Sequence, residues 1–350
     1  MSPERERPQR EFGEQAGGPP NVRKCPACYE TFINSQLLIC PKDGNLLRSE
    51  SRTDDDELVG TIVDNRYELK EILAHGGIST IYRATNLLTR QAVALKALTS
   101  NLMWDPFAIE RFTISAQCQS HLKHPNILTV YDYGFLPKDR PYCIMDLLEG
   151  KTLEYLVHSE GPLEAEHCKQ IFMKVCDAAA HAHEQGVIHR DLKPTNIFLD
   201  QRHGREEPVI IDFQLAKLRG IDEARYSQIG ELVGTPPYMS PEQCMGHAID
   251  ERSDLYSLGC TMYFALTGAP PFEGKSMIHT MQMHMSETPS ADTLPPELAP
   301  IVLKAIAKNL DDRYGSAGEM KRAIAATVLK KPADPKTRKD AGKKKWWWPF

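Results

Sequence analysis

The sequence predicts an α+β fold, and three observations carry that expectation. Alternating burial preference at Tyr67-Glu-Leu-Lys70 reads as a strand, and apolar Ala92–Leu95 closing on Lys96 reads as a buried strand with one charge at its end. Apolar residues at Cys168, Ile171, Phe172, Val175, Cys176 and Ala179 recur at helical spacing ahead of Gly186, a natural helix stop. At 350 residues the chain exceeds one typical domain, so a main domain with an appendage or tails is expected. An apolar fraction of 41% and a charged fraction of 25% are those of an ordinary globular protein. A net charge of −5 gives no global argument for nucleic acid or membrane as the main partner.

Residues 1–21 are polar, with Glu-Arg repeats followed by Gly-Gly-Pro-Pro, and read as disordered. Within 22–48 come Cys25-Pro-Ala-Cys28 and Cys40-Pro-Lys-Asp43-Gly44. Two tight knuckles around a metal are the way a zinc ribbon orders a segment too short for a core. Cys25, Cys28, Cys40 and Asp43 are the candidate Zn²⁺ ligands. A carboxylate in the fourth place is a weaker partner than a thiolate, and a degenerate ribbon without metal is the alternative. The same segment has few basic and few aromatic residues, so nucleic-acid binding is not expected there. Residues 49–66 are acidic and polar and read as a linker. The remaining six of the nine cysteines are scattered in apolar settings, which suggests reduced core thiols in a cytoplasmic protein. Residues 1–20 lack the pattern of a signal peptide, and no apolar run is long enough to span a bilayer.

The chemistry concentrates in His189-Arg190-Asp191-Leu192-Lys193-Pro194-Thr195-Asn196, which closes on apolar Ile197-Phe198-Leu199. One short loop thus holds a carboxylate, an ammonium and a carboxamide. Phosphoryl transfer from a nucleotide uses that set: a carboxylate for the proton of the attacking hydroxyl, a cation for the transferring group, and an oxygen donor for a metal. The spacing H-R-D-x-K-x-x-N resembles the catalytic loop of eukaryotic-type protein kinases, and Lys193 is the form typical of the Ser/Thr branch. Further motifs follow in the family's order from Tyr67 to about Val328: Val93-Ala94-Leu95-Lys96, Asp212-Phe213, Val233-Gly234-Thr235 to Pro241-Glu242, and Asp254-Leu-Tyr-Ser-Leu-Gly259. The Cys-x-x-Cys head resembles zinc-ribbon heads that precede some bacterial kinases of this type.

The resemblance implies a two-lobed kinase fold over 67–328, an antiparallel sheet lobe above a helical lobe, between the ribbon-like head and a basic tail over 329–350. It implies ATP and Mg²⁺ as cofactors and proteins as substrates. Asp191 would orient and accept the hydroxyl proton, Lys193 would stabilise developing charge, and Thr235 would lie beside both. Asn196 and Asp212 would hold Mg²⁺, and Lys96 would bridge the α- and β-phosphates. Leu73, Ala74, His75, Gly76, Gly77, Ser79 and Ile81 would cover the nucleotide, with Ala94 and Phe198 completing its cradle. Met145 would gate the adenine pocket, and the backbone of Asp146 and Leu148 would meet the adenine edge. Asp254 would hold the catalytic-loop backbone, and Glu242 would pair with Arg313.

Four residues depart from the family's pattern. Ala74 and Ser79 stand at two of the three usual glycines of the phosphate hairpin, and Gln214 stands for the glycine after Asp212-Phe213. On the helix expected over 106–122, the glutamate that should pair with the strand lysine is Ser115; Glu110 lies over a turn earlier and reads as exposed. Lys96 therefore needs another carboxylate, and Asp212 is the expected substitute until phosphate takes over. Three functions remain open at this level: a serine/threonine protein kinase, a pseudokinase acting as a nucleotide-binding or inert scaffold, or a zinc head that is the working end with the kinase domain as its regulator. Ser227, and after it Tyr226, are phosphorylation candidates in the segment 216–232, with plain polar loop residues as the alternative.

The chain closes on Lys343-Lys344-Lys345-Trp346-Trp347-Trp348-Pro349-Phe350. Lysines beside tryptophans suit an anionic bilayer surface, or a peptide that docks on a partner. The expected location is cytoplasmic, with contact at the inner face of the membrane.

Overall fold

The computed structural model describes residues 22–24, 31–33, 48–49, 55–202, 204–213, 217–218 and 235–329. The chain divides into two units, residues 1–57 with 339–350, and residues 58–338. In the first, β1 (Val22–Lys24), β2 (Thr31–Ile33) and β3 (Arg48–Ser49) form an antiparallel sheet in the order β2-β1-β3. Cys25, Cys28, Cys40 and Asp43 lie outside the described residues, as do the disordered-segment expectation for 1–21, Gln214, Tyr226, Ser227 and the tail from 330.

The second unit opens on a six-stranded antiparallel sheet, β4 (Ile62–Val63), β5 (Tyr67–His75), β6 (Ser79–Asn86), β7 (Ala92–Leu98), β8 (Val130–Leu136) and β9 (Arg140–Met145), in the order β4-β5-β6-β7-β9-β8. The alternation at its start is real: Tyr67 and Leu69 are buried while Lys70 is exposed. The sheet begins earlier than the sequence suggested, because Ile62 and Val63, within the expected linker 49–66, pair with Glu68 and Tyr67. Two residues are too few to show a period, so this strand exists through its partner.

The helix expected over 106–122 is α1 (Pro106–Ser120), started by Asp105, whose side chain accepts from the Phe107 amide, and by proline at the first position. Below the sheet come β10 (Gly150–Thr152), α2 (Leu153–Glu160), α3 (Ala165–Glu184), β11 (Val187–Ile188), β12 (Ile197–Asp200), β13 (Glu207–Ile210) and β14 (Lys217–Leu218). Then follow α4 (Pro241–Met245), α5 (Glu251–Thr267), α6 (Met277–Ser286), α7 (Ala299–Ala305) and α8 (Ala317–Ala326). The cysteines of α3, Cys168 and Cys176, are fully buried core filler, and burial pushes both thiols up.

Helix α5 is the axle of this helical part. Every residue from Ser253 to Leu266 is buried, so it is surrounded by protein on all sides rather than lying on a surface. At Gly259 a Cβ would come within 2.6 Å of the Ile306 side chain and 2.8 Å of the Ala305 Cβ, so glycine there sets how closely α5 and the end of α7 approach. Asp212 was expected at the end of a strand running from Pro208. The strand β13 stops at Ile210 instead, and Asp212 adopts a left-handed φ of 64° beyond it. That turn takes the carboxylate out of the sheet pairing and frees it for the cleft.

Candidate active site

The catalytic loop is shaped by a buried carboxylate. Asp254, at the start of α5, is 1% exposed; one oxygen accepts from the Arg190 amide at 2.8 Å, the other from the His189 amide at 2.9 Å and from His183 Nε2 at 2.8 Å. Arg190 sits at φ 69°, a conformation costly for a residue with a Cβ. Two charge-assisted bonds from adjacent amides to one carboxylate hold it there. Burial alone would raise Asp254, but the hydrogen bond and charge of His183, with help from His189, bring it below the usual carboxylate range. Gln243 donates to the Arg190 carbonyl at 2.7 Å and Thr261 to the Leu192 carbonyl at 3.3 Å, so α4 and α5 grip the loop from two further points.

Within that loop, Asp191, Lys193 and Thr235 form a closed triangle. Lys193 Nζ lies 2.7 Å from Asp191 Oδ2 and donates to Thr235 Oγ1 at 2.6 Å, while the Thr235 hydroxyl donates to Asp191 Oδ1 at 3.2 Å. The structure thus brings Thr235 beside both Asp191 and Lys193, the placement the sequence reading expects. Asn196 Nδ2 donates to the Asp191 carbonyl at 2.8 Å, which turns its carboxamide oxygen the other way.

Across the cleft, Lys96 Nζ meets Asp212 Oδ1 at 2.6 Å, with side chains 12% and 29% exposed. The substitute counter-ion expected for Lys96 is therefore in place. Ser115 faces the same region, 8% exposed, and its hydroxyl donates to the Phe213 carbonyl at 2.8 Å. Glu110 is exposed, as expected. Phe213 is 1% exposed and packs its ring 4.6 Å from that of His189, linking this turn to the catalytic loop.

A cavity of about 380 Å³ lies beneath the β5–β6 hairpin. Of the residues expected around a nucleotide, Ala74, His75, Gly76, Gly77, Ser79, Ile81, Lys96, Met145 and Asp212 line it. Gly76 is needed at the turn, where its amide donates to the Ser79 carbonyl at 2.8 Å and a Cβ would sit 3.0 Å from that same oxygen. Leu73, Ala94, Asp146, Leu148 and Phe198 are not brought to the lining. Leu73 is an exposed residue of β5, Ala94 is buried and paired with Met145, and Phe198 is half-buried on β12. The Asp146 amide donates to the Thr129 carbonyl at 3.1 Å, so any contact of Asp146 with an adenine edge falls to its carbonyl. Residues of α1 that the sequence reading does not name, among them Arg111 and Gln119, extend the lining behind Lys96 on either side of Ser115. Helical spacing of four on either side of Ser115 is the signal that puts both on the cleft side.

Among the described residues no cluster of three or more His, Cys, Asp or Glu side chains is placed to hold a metal alone. Asn196 and Asp212 nevertheless suit Mg²⁺: both offer hard oxygen, and this ion takes one or two protein donors and completes its shell with phosphate and water. Glu242 and Arg313 form the expected buried pair, with both guanidinium nitrogens at 2.8 Å from the two carboxylate oxygens and Ser253 adding a third bond. Burial would raise Glu242, but the hydrogen bonds and charge of Arg313 outweigh it, and the carboxyl lies below its usual range.

Comparison with known proteins follows the same outline. The family described as protein kinase domain matches residues 67–329. Serine/threonine-protein kinase PknB of Mycolicibacterium smegmatis is 38% identical over 288 residues, 80% of this chain and 46% of that protein. PknB of Mycobacterium tuberculosis is 37% identical over 288 residues with the same coverage. A probable serine/threonine-protein kinase of Streptomyces coelicolor is 38% identical over 275 residues, 76% of this chain and 40% of that protein. The chain thus spans about half or less of the length of the curated relatives it matches.

Proposed function

This chain belongs to the protein kinase domain family, and from that premise we propose that it transfers the γ-phosphoryl of ATP to serine or threonine hydroxyls of proteins, itself included. The observation that carries the reading is the triangle of Asp191, Lys193 and Thr235, in which a hydroxyl already donates to the carboxylate beside an ammonium. An acceptor hydroxyl in that position loses its proton to Asp191 as the phosphoryl arrives, and Lys193 meets the charge on the transferring oxygens. Lys96 holds the α- and β-phosphates, releasing Asp212. Asn196 and Asp212 would hold Mg²⁺, which when bound neutralises charge on the β- and γ-oxygens. Positioning and electrostatics supply most of such a rate enhancement, so the loss of a glutamate at position 115 is compatible with catalysis while these groups are in place.

The rival reading, a nucleotide-binding or inert scaffold, draws support from Ser115, Ala74, Ser79 and Gln214. Incubation with γ-labelled ATP, Mg²⁺ and a generic protein acceptor separates the two. The kinase reading expects label on phosphoserine or phosphothreonine after hydrolysis. Nucleotide-dependent thermal stabilisation with no transfer to any acceptor favours the scaffold.

Two further assignments belong to this proposal. The Cys25, Cys28, Cys40 and Asp43 head binds one Zn²⁺, which zinc analysis of purified protein tests; less than a tenth of an equivalent after metal-free purification and zinc reloading removes it. The Lys343–Trp348 tail holds a cytoplasmic protein at the inner face of an anionic membrane, supported by its charge and aromatic composition. Co-sedimentation with vesicles containing anionic lipid should fall on removal of residues 343–350; binding that is unchanged removes the assignment.

A further inference from the structure

Ser115 occupies the place where a charged partner for Lys96 was expected, yet its hydroxyl is not idle. It donates at 2.8 Å to the carbonyl of Phe213, a contact buried on both sides and spanning 98 positions of sequence. The accepting carbonyl belongs to the residue directly after Asp212. Asp212 itself sits at a left-handed φ of 64°, which a residue with a Cβ keeps only where its surroundings hold it. On one flank the turn is held by the Ile211 amide, which donates to the Asn196 carbonyl at 2.9 Å. On the other flank, among the described side chains, the bond from Ser115 is the one that reaches the main chain of Phe213.

We infer that Ser115 is a positioning residue: its hydroxyl ties α1 to the turn that aims Asp212 into the cleft, a neutral latch standing where a lysine–glutamate ion pair would otherwise link helix and strand. The inference rests on the kinase reading of the cleft. Asp212 is bonded to Lys96 at 2.6 Å, and on nucleotide binding it must leave that partner for a cation. A carboxylate at position 115 would then take the lysine. With serine there the lysine passes to phosphate, and the carboxylate needs a fixed backbone to stay aimed when its ion pair is broken. The Ser115 bond supplies that fixity, because a neutral hydrogen bond is indifferent to whether Lys96 is paired with Asp212 or with phosphate. The helix face supports the assignment: Arg111, Ser115 and Gln119 line the same cavity at spacings of four, so α1 presents this edge to the cleft.

The test uses Ser115→Thr and Ser115→Val, which have the same shape and differ in the hydroxyl. The first readout is the Mg²⁺ concentration that gives half of the maximal thermal stabilisation at fixed ADP. The second is kcat and KM for ATP in autophosphorylation. Ser115→Thr should stay within about twofold of the parent in Mg²⁺ requirement, while Ser115→Val raises it roughly three- to tenfold, the loss of one buried neutral hydrogen bond. The kcat of the valine variant should fall by a similar factor, with KM for ATP less affected, because Lys96 still grips the phosphates. Equal Mg²⁺ requirements for the two variants overturn the latch. If the parent transfers no phosphate but the two variants still differ in Mg²⁺ requirement, the latch stands and the kinase reading falls. A parent that shows no Mg²⁺-dependent stabilisation by ADP overturns both.

Discussion

Glu242–Arg313 and Lys96–Asp212 are both ion pairs that close long stretches of sequence, and they differ in everything else. The first is sealed, with side chains 5% and 0% exposed, bidentate, and given a third bond by Ser253. The second is a single contact at the edge of a cavity, with side chains 12% and 29% exposed. A pair buried from solvent and held by three hydrogen bonds has no competing partner within reach, so it fixes where α4 and α5 lie beneath the catalytic loop. A pair open to a cleft is one arrangement among several. Water, phosphate or a cation can replace either member. The lower region therefore holds shape, and the upper one holds a choice of partners.

The largest effect expected from this contrast is on rate alone. Lys96→Met should reduce phosphate transfer about a hundredfold or more, as loss of a charge aimed at the reacting phosphates does, while the unfolding midpoint moves little. An equally large fall in stability would make the two pairs alike and break the comparison. Next in size is Glu242→Gln, which leaves Arg313 buried without its counter-charge. It should cost about 3–5 kcal/mol in denaturant unfolding, the range for breaking a buried pair from one side. A loss below about 1 kcal/mol would mean that the sealed pair does not carry the architecture.

A third prediction uses pH. His284, on α6, is fully buried against the Tyr256 hydroxyl at 2.9 Å, and burial, with the nearby charge of Lys308, pushes it down to about 4. Its folded value lies below the unfolded one of about 6.5, so the unfolded chain binds the proton first as pH falls. Stability from this residue is complete above pH ~6.5 and is lost on the order of 3 kcal/mol as pH falls to about 4. Unfolding free energies measured from pH 7 to 4 should fall less steeply in His284→Phe than in the parent. Parallel curves would contradict the assignment. The smallest effect is expected where both partners face solvent: Arg83→Gln, which removes the exposed pair to Glu71, should change stability by less than about 1 kcal/mol in thermal melts.

The same division decides what the sequence could reveal. Asp254, Glu242 with Arg313, Asp191, Lys193 and Thr235 were legible because each is a charged or polar residue at a fixed distance from its motif. Asp212 as the substitute partner of Lys96 followed from counting charges. The Ser115 bond to Phe213 left no such trace, since a serine on a helix has no pattern and its acceptor is a main-chain carbonyl 98 positions away. His183 escaped for a similar reason: on α3 it looked like one of several polar residues, and its role appears only when α5 brings Asp254 within 2.8 Å. Strand β4 leaves no signal in the sequence because two residues carry no period. Leu73, Ala94, Asp146, Leu148 and Phe198 come from the resemblance alone, Asp146 and Leu148 through their backbone, and the cavity beneath the β5–β6 hairpin is lined by other residues.

The most direct test of the whole account is label transfer from γ-labelled ATP with Mg²⁺, comparing the parent with Asp191→Asn under matched nucleotide binding. The account predicts label on serine or threonine of the parent and its loss in the variant, with ATP still stabilising both proteins. Equal labelling of the two, or none in either while both bind ATP, would contradict it.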